Sequence, residues 1–180
     1  MRWERLFADL EAQYDAAATA ELAGEIADRS RREIALVPLA ARVRAAEAEV
    51  QVAVRGGEPI RGTVSACGPD WMLLALDDVE TLVPLSAVSW VRGLPATADT
   101  AVSLVAAKLV LGHALRGIAR DRAETTVTLT TGERLTGTLD RVGADFVDLA
   151  EHPLGEPRRA NAVRSIRTVP MGALSALRRH

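Results

Sequence analysis

Fifteen residues of this chain are written twice. Gly57 to Trp71 reads GEPIRGTVSACGPDW and Gly132 to Phe146, 75 positions later, reads GERLTGTLDRVGADF, with six of the fifteen positions identical. At the same offset, with no gap, Val52 stands opposite Val127, Val54 opposite Leu129, Leu74 opposite Leu149, Ala87 opposite Ala162, Val91 opposite Ile166 and Pro95 opposite Pro170. A chain that repeats itself at a fixed interval builds one supersecondary unit twice. The echo reaches upstream more weakly: Ile34, Leu36 and Val43 fall opposite Leu109, Leu111 and Ile118, so each copy reads as an apolar helix followed by a β-rich segment.

The repeat divides the 180 residues into an N-terminal helical extension, 1–36, a first unit, 37–95, and a second unit with its leading helix, 96–180. Units of this size bury too little surface to be robust alone, so they are expected to pack on each other or on another subunit. With 22 basic and 24 acidic residues the chain lacks the overall positive charge of an avid, sequence-independent nucleic-acid binder. Its charge is nevertheless polarised. Residues 1–28 carry two arginines against seven acids, a net of −5, and 152–180 carry six arginines against one glutamate, a net of +5. Twenty-one arginines against one lysine, with abundant alanine, is the composition of a GC-rich bacterial genome. A single cysteine, Cys67, excludes an internal disulfide, and no basic segment followed by an apolar core opens the chain, so a cytoplasmic protein is expected. The longest apolar stretch, 101–115, is short for a membrane span and contains Lys108.

Trp3, Phe7, Leu10 and Tyr14 recur at helical spacing, the seam of an amphipathic helix and a candidate docking arm for a partner. A second helix is expected from about Thr19 towards Val43, interrupted by Pro38, which opens a short helix over 39–48; its counterpart in the second copy spans roughly 101–120. The β signals are short and regular. In the second copy Val127 and Leu129 alternate with threonines, Thr131-Gly132 turns the chain, Leu135, Gly137 and Leu139 begin a second strand, and 146–150 forms a third. Two more are expected at 160–164 and 165–169. The fold class is therefore α+β: two tandem helix-plus-five-stranded, strongly bent small barrels behind an N-terminal amphipathic helix. Gly62 and Gly137, each inside a second strand, mark a sharp bend or the close approach of another backbone.

The pattern resembles the first motif of the Sm/LSm superfamily, which includes the bacterial Sm-like RNA chaperones. It is carried by Val52, Val54, Gly57, Ile60, Gly62, Val64, Asp70, Trp71 and Leu74, and again by Val127, Leu129, Gly132, Leu135, Gly137, Leu139, Asp145, Phe146 and Leu149. The resemblance implies a five-stranded bent barrel that joins its neighbours through strands four and five, usually as a ring, with RNA bases held in loops. Two departures stand out. Each copy has one extra residue between the second glycine and the Asp-aromatic pair, and Leu85-Ser86-Ala87 and Ala160-Asn161-Ala162 stand where the second Sm motif has Arg-Gly. A uridine-type pocket is not expected.

Asp70-Trp71 and Asp145-Phe146 read either as stacking platforms for bases or as turns, with Gly68 and Gly143 at positive φ, whose aromatic rings plug the core. Arg158, Arg159, Arg164 and Arg167 are the candidate contacts for nucleic acid or an acidic partner. No catalytic or metal-binding constellation is present: His113, His152 and His180 are scattered, Cys67 stands opposite Val142, and nucleophile-elbow and phosphate-loop motifs are absent. The sequence thus reads as a non-enzymatic Sm-like binding or assembly module without cofactor, metal or evident small-molecule substrate. Its expected partners are further copies of itself or another protein, and an RNA- or DNA-binding regulator using the Arg-rich second unit is the competing reading.

Overall fold

The computed structural model describes residues 2–101, 106–155 and 163–180. Its contacts divide the chain into Met1–Pro38 and Leu39–His180. The first unit is one helix, α1, Arg2–Ala35, 34 residues long, or about 50 Å at 1.5 Å per residue. The break expected near Thr19 does not occur. The Ala-rich stretch from Ala16 onward favours helix strongly enough to carry it across Gly24, and the helix ends only ahead of Pro38, whose ring disfavours helical geometry in the preceding residue. Phe7 and Tyr14 are exposed on it, by 61% and 82%; the side chains of Trp3 and Leu10 lie outside the described residues.

The second unit begins with α2, Leu39–Arg44, then β1, Val50–Val54; β2, Ile60–Cys67; β3, Trp71–Leu76; β4, Val79–Pro84; and β5, Val88–Arg92. After α3, Leu111–Asp121, the pattern repeats as β6, Glu124–Leu129; β7, Arg134–Val142; β8, Phe146–Glu151; β9, Ser165–Pro170; and β10, Leu174–Arg179. A single turn of 3-10 helix, Leu85–Ala87 or Met171–Ala173, joins the last two strands of each set.

All ten strands belong to one antiparallel sheet in the order β5-β1-β2-β3-β4-β10-β6-β7-β8-β9. This corrects the expectation of two separate helix-plus-five-stranded barrels. The two copies are fused edge to edge because β10 pairs on both sides: Leu177 lies opposite Leu82 of β4 and opposite Val127 of β6. Their cores interlock there. Leu82, from the first copy, sits in the cluster of Leu111, Leu115, Val127 and Leu149, while Ala176, from the second, sits with Val52, Met72, Leu74 and Val83. The sequence of β3, WMLLAL, shows why: Met72 and Leu74 are buried in one core and Trp71 and Leu73 pack, half-buried, against the other, so both faces of the strand are apolar.

The repeat itself also needs correction. Through β8 the offset is 75, but PLSAVSWVR after Val83 matches PMGALSALR after Val169 at an offset of 86. Eleven residues are therefore inserted between β8 and β9, and the strands expected at 160–164 and 165–169 are in fact Ser165–Pro170 and Leu174–Arg179. At the corrected offset the backbone repeats bond for bond. Leu85 N donates to Asp70 O (2.9 Å) as Met171 N does to Asp145 O (2.7 Å), and Arg55 N donates to Ala87 O (3.0 Å) as Thr130 N does to Ala173 O (2.9 Å).

Each copy also carries the same β-bulge, between Val64 and Ala66 in β2 and between Leu139 and Arg141 in β7. One residue there faces no partner, which bends the strand. The glycine just ahead of each bulge admits a neighbouring backbone: a Cβ on Gly62 would lie 2.7 Å from Ala75 O, and one on Gly137 would overlap Ala150 O.

Candidate functional site

The Asp-aromatic pair of the first copy is a clamp on the second. Asp70 Oδ1 accepts the backbone N–H of Leu111 at 2.8 Å, supplying from a distance the cap that Val110 cannot give, and the Trp71 indole donates to Leu109 O at 2.7 Å. This is why α3 begins at Leu111 and not near Ala101. Gly68 and Gly143 are not among the residues with positive φ, which corrects the turn expected there. They are glycine because the Trp71 and Phe146 rings lie directly over them, where a Cβ would overlap the ring. In the second copy the clamp lacks its load: Asp145 is exposed and its carboxylate has no partner among the described residues.

Gly57 and Gly132 belong to the β1–β2 and β6–β7 turns. Gly132 adopts φ +92, as Gly56 beside Gly57 adopts φ +71, and the two turns pack backbone to backbone at the junction. A Cβ on Gly56 would lie 2.6 Å from Gly132 N. Ser175 donates its hydroxyl to Arg55 O, and the Arg55 guanidinium reaches Ser86 O at 2.6 Å, so the turn of one copy is tied to β10 of the other.

Only two of the four arginines of the Arg-rich candidate fall within the described residues. Arg158 and Arg159 lie outside the described residues. Arg164 is exposed, and Arg167 is committed to two carboxylates, Glu133 at 2.7 Å and Glu151 at 3.1 Å. The hydrogen bond to Glu133, followed by the charge of Glu151, holds the Arg167 guanidinium above its ordinary pKa. Among the described residues no group of histidine, cysteine and carboxylate side chains could hold a metal ion, and no helix is long and apolar enough to cross a membrane. His152, just past the end of β8, is buried: its Nδ1 donates to Pro153 O (3.0 Å), which leaves Nε2 to accept the Thr138 hydroxyl (2.8 Å).

The chemistry most evident on the sheet is at its ends. β5 and β9 are its two edge strands, and each is the counterpart of a strand paired at the junction. Paired and unpaired versions of one strand can therefore be compared within a single chain. Leu82 of β4 is 2% exposed and its equivalent in β9, Thr168, is exposed; Ser175 of β10 is fully buried and its equivalent in β5, Ser89, is exposed. Ala176, 7% exposed, corresponds to Trp90, 44% exposed, over which the Arg92 guanidinium lies 5.5 Å from the ring centroid. Neither edge carries a proline at a central position or an inward-pointing charge to blunt it. Comparison of the chain with family models, with curated proteins and with solved structures returns no match.

Proposed function

We propose that this chain is a non-enzymatic, cytoplasmic, Sm-like assembly module whose two sheet edges join copies head to tail, β9 of one chain against β5 of the next. The observation that carries the reading is the β4–β10 pairing inside the chain: fourth strand against fifth strand, at a fixed register. The free edges are the remaining fourth and fifth strands, so the same contact can be made between molecules. Such an interface is heterologous, and it closes into a ring or continues as a filament according to its rotation. The Sm resemblance likewise implies joining through strands four and five.

Carried over by the repeat, the pairs Leu82–Leu177 and Thr81–Arg178 become Thr168 opposite Val91 and Arg167 opposite Arg92 of the neighbour. Two guanidiniums would meet there, and their repulsion is offset by Glu133 and Glu151, already bonded to Arg167. This fixes register more than it adds affinity. The exposed Phe7 and Tyr14 suit α1 to docking a protein partner, the second element of the module.

Light scattering tests the proposal. The wild-type chain is expected at a multiple of 19.2 kDa, and Trp90→Glu, at an edge position exposed in the isolated chain, at 19.2 kDa with an unchanged circular dichroism spectrum. A wild-type mass of 19.2 kDa at every concentration would remove the edge-pairing reading. An assembly dissolved by Phe7→Asp with Tyr14→Asp but not by Trp90→Glu would transfer the role to α1. An absorbance ratio showing nucleic acid on the same peak would favour the RNA reading instead.

A further inference from the structure

A cleft of about 480 Å³ opens on one face of the junction, between the β1–β2 and β3–β4 turns of the first copy and strands β10, β6 and β7 of the second. That is within the usual size range of small-molecule sites, ~300–1,000 Å³. Its floor is aliphatic: Val54, Leu74 and Ala176 are buried, with Ile60 and Val79 beside them. Its rim is cationic. Arg178 stands in register with Thr81 on one side and Thr126 on the other, and Arg134 stands opposite Thr128. Arg61 completes the rim from the first copy.

None of these three guanidiniums has a hydrogen-bond or ion-pair partner among the described residues, whereas Arg55, Arg92, Arg167 and Arg179 each have one. Against the three stand two carboxylates, Glu58 and Asp77, so the lining keeps an excess of positive charge. Hydroxyls lie between the guanidiniums: Thr128, and Thr126, whose Oγ1 is 2.9 Å from His180 Nε2.

We infer that this cleft binds a small anion carried on an aliphatic body, a carboxylate or a phosphate monoester, with its head group between Arg178 and Arg134 and its chain on the floor. Guanidinium forks and hydroxyls match an oxyanion. No phenylalanine, tyrosine or tryptophan is among the described residues that line the cleft, and the His180 imidazole is engaged by Thr126, so the cleft lacks the large ring on which a nucleobase stacks best. The site draws on both copies, and its basic set is not repeated as a whole: Arg178 corresponds to Arg92, but Arg134 corresponds to Pro59, Arg61 to Thr136 and His180 to Leu94. Each chain therefore carries one such site, whatever its state of assembly.

Isothermal titration of the full chain with hexyl phosphate, hexanoate and inorganic phosphate tests this. Hexyl phosphate is expected to saturate at one per chain, with phosphate alone binding at least tenfold more weakly. Arg178→Gln and Arg134→Gln are each expected to weaken hexyl phosphate about tenfold, the effect of losing one charge-assisted hydrogen bond, while Arg141→Gln, an exposed arginine outside the cleft, changes nothing. The stronger of hexyl phosphate and hexanoate identifies the head group. Absence of saturable binding by either, an equal loss in Arg141→Gln, or tighter binding of adenosine monophosphate than of hexyl phosphate overturns the inference. Trp90→Glu should leave the titration unchanged, which separates this site from the edge-pairing proposal.

Discussion

The same substitution, glycine to alanine, is expected to have opposite signs at two places in this sheet unit. At Gly137 the added Cβ would overlap the Ala150 carbonyl oxygen and sit 2.8 Å from its carbon and 3.0 Å from Glu151 Cα. These are backbone atoms of the neighbouring strand, so no side chain can swing aside, and β7 and β8 must part where Gly137 pairs with Glu151. Overpacking of this kind costs about 1–3 kcal/mol, and restricting the unfolded chain returns only ~0.4–1 kcal/mol. The rigidity of the obstacle puts the overpacking cost at the upper end, for a net loss of about 2 kcal/mol. At Gly117, inside α3, nothing lies within 4 Å of the added Cβ, so alanine gains its helix preference, about 0.5–1 kcal/mol. For a domain of this size 1 kcal/mol moves the melting temperature by roughly 2–4 °C. Differential scanning calorimetry should therefore place Gly137→Ala roughly 4–8 °C below wild type and Gly117→Ala roughly 1–4 °C above it. A Gly137→Ala protein as stable as wild type would show that β8 does not press on that glycine, and the steric account of the repeated glycines would fail.

Three further sites carry checkable outcomes. Trp71→Phe keeps a ring over Gly68 but loses the indole bond to Leu109 O, so urea denaturation should show a loss of about 0.5–1.5 kcal/mol; no loss would mean that the clamp on α3 is Asp70 alone. Leu177→Ala empties the centre of the junction, where Leu177 is 2% exposed opposite Leu82, and should cost about 2–5 kcal/mol, whereas Val91→Ala at the equivalent edge position, half-buried against the first core, should cost the monomer less than Leu177→Ala does and lower assembly as well. Burial, partly opposed by the Arg44 charge and hydrogen bond, pushes the Cys67 thiol above its ordinary pKa. Its contribution to stability should be fully present below the usual thiol range and lost as pH rises through the raised value; alkylation of the native protein at pH 8 should be slower than in urea, and equal rates would contradict the burial.

Residue spacing revealed the repeat but not the single sheet, and the reason lies in β4 and β10. Each is buried on consecutive positions, Leu82, Val83 and Pro84 in one and Leu174 to Leu177 in the other, so neither shows the alternation that marks a half-exposed strand. Such runs say that both faces are covered without saying which strand lies alongside. The 11-residue insertion hid the match between the two copies of the last two strands, although PLSAVS and PMGALS carry it plainly once a gap is allowed. The extra residue that departs from the Sm pattern falls in the segment where each copy forms its bulge. The cleft was illegible for a different reason: Arg61, Arg134 and Arg178 are far apart in sequence and come together only because the copies are fused in this register.

That fusion places β10, the last of the ten strands in chain order, in the middle of the sheet. During synthesis β4 is complete long before its partner exists: Leu82 waits for Leu177, an interval of roughly 5–20 s at 5–20 residues per second. Throughout it the nascent chain displays an apolar, unpaired edge of the correct register to any finished β10 nearby. On a shared messenger the neighbouring ribosome supplies one. Strand exchange between sister chains is thus the misfolding hazard written into this topology, and it uses the same contact that the folded molecule makes with itself.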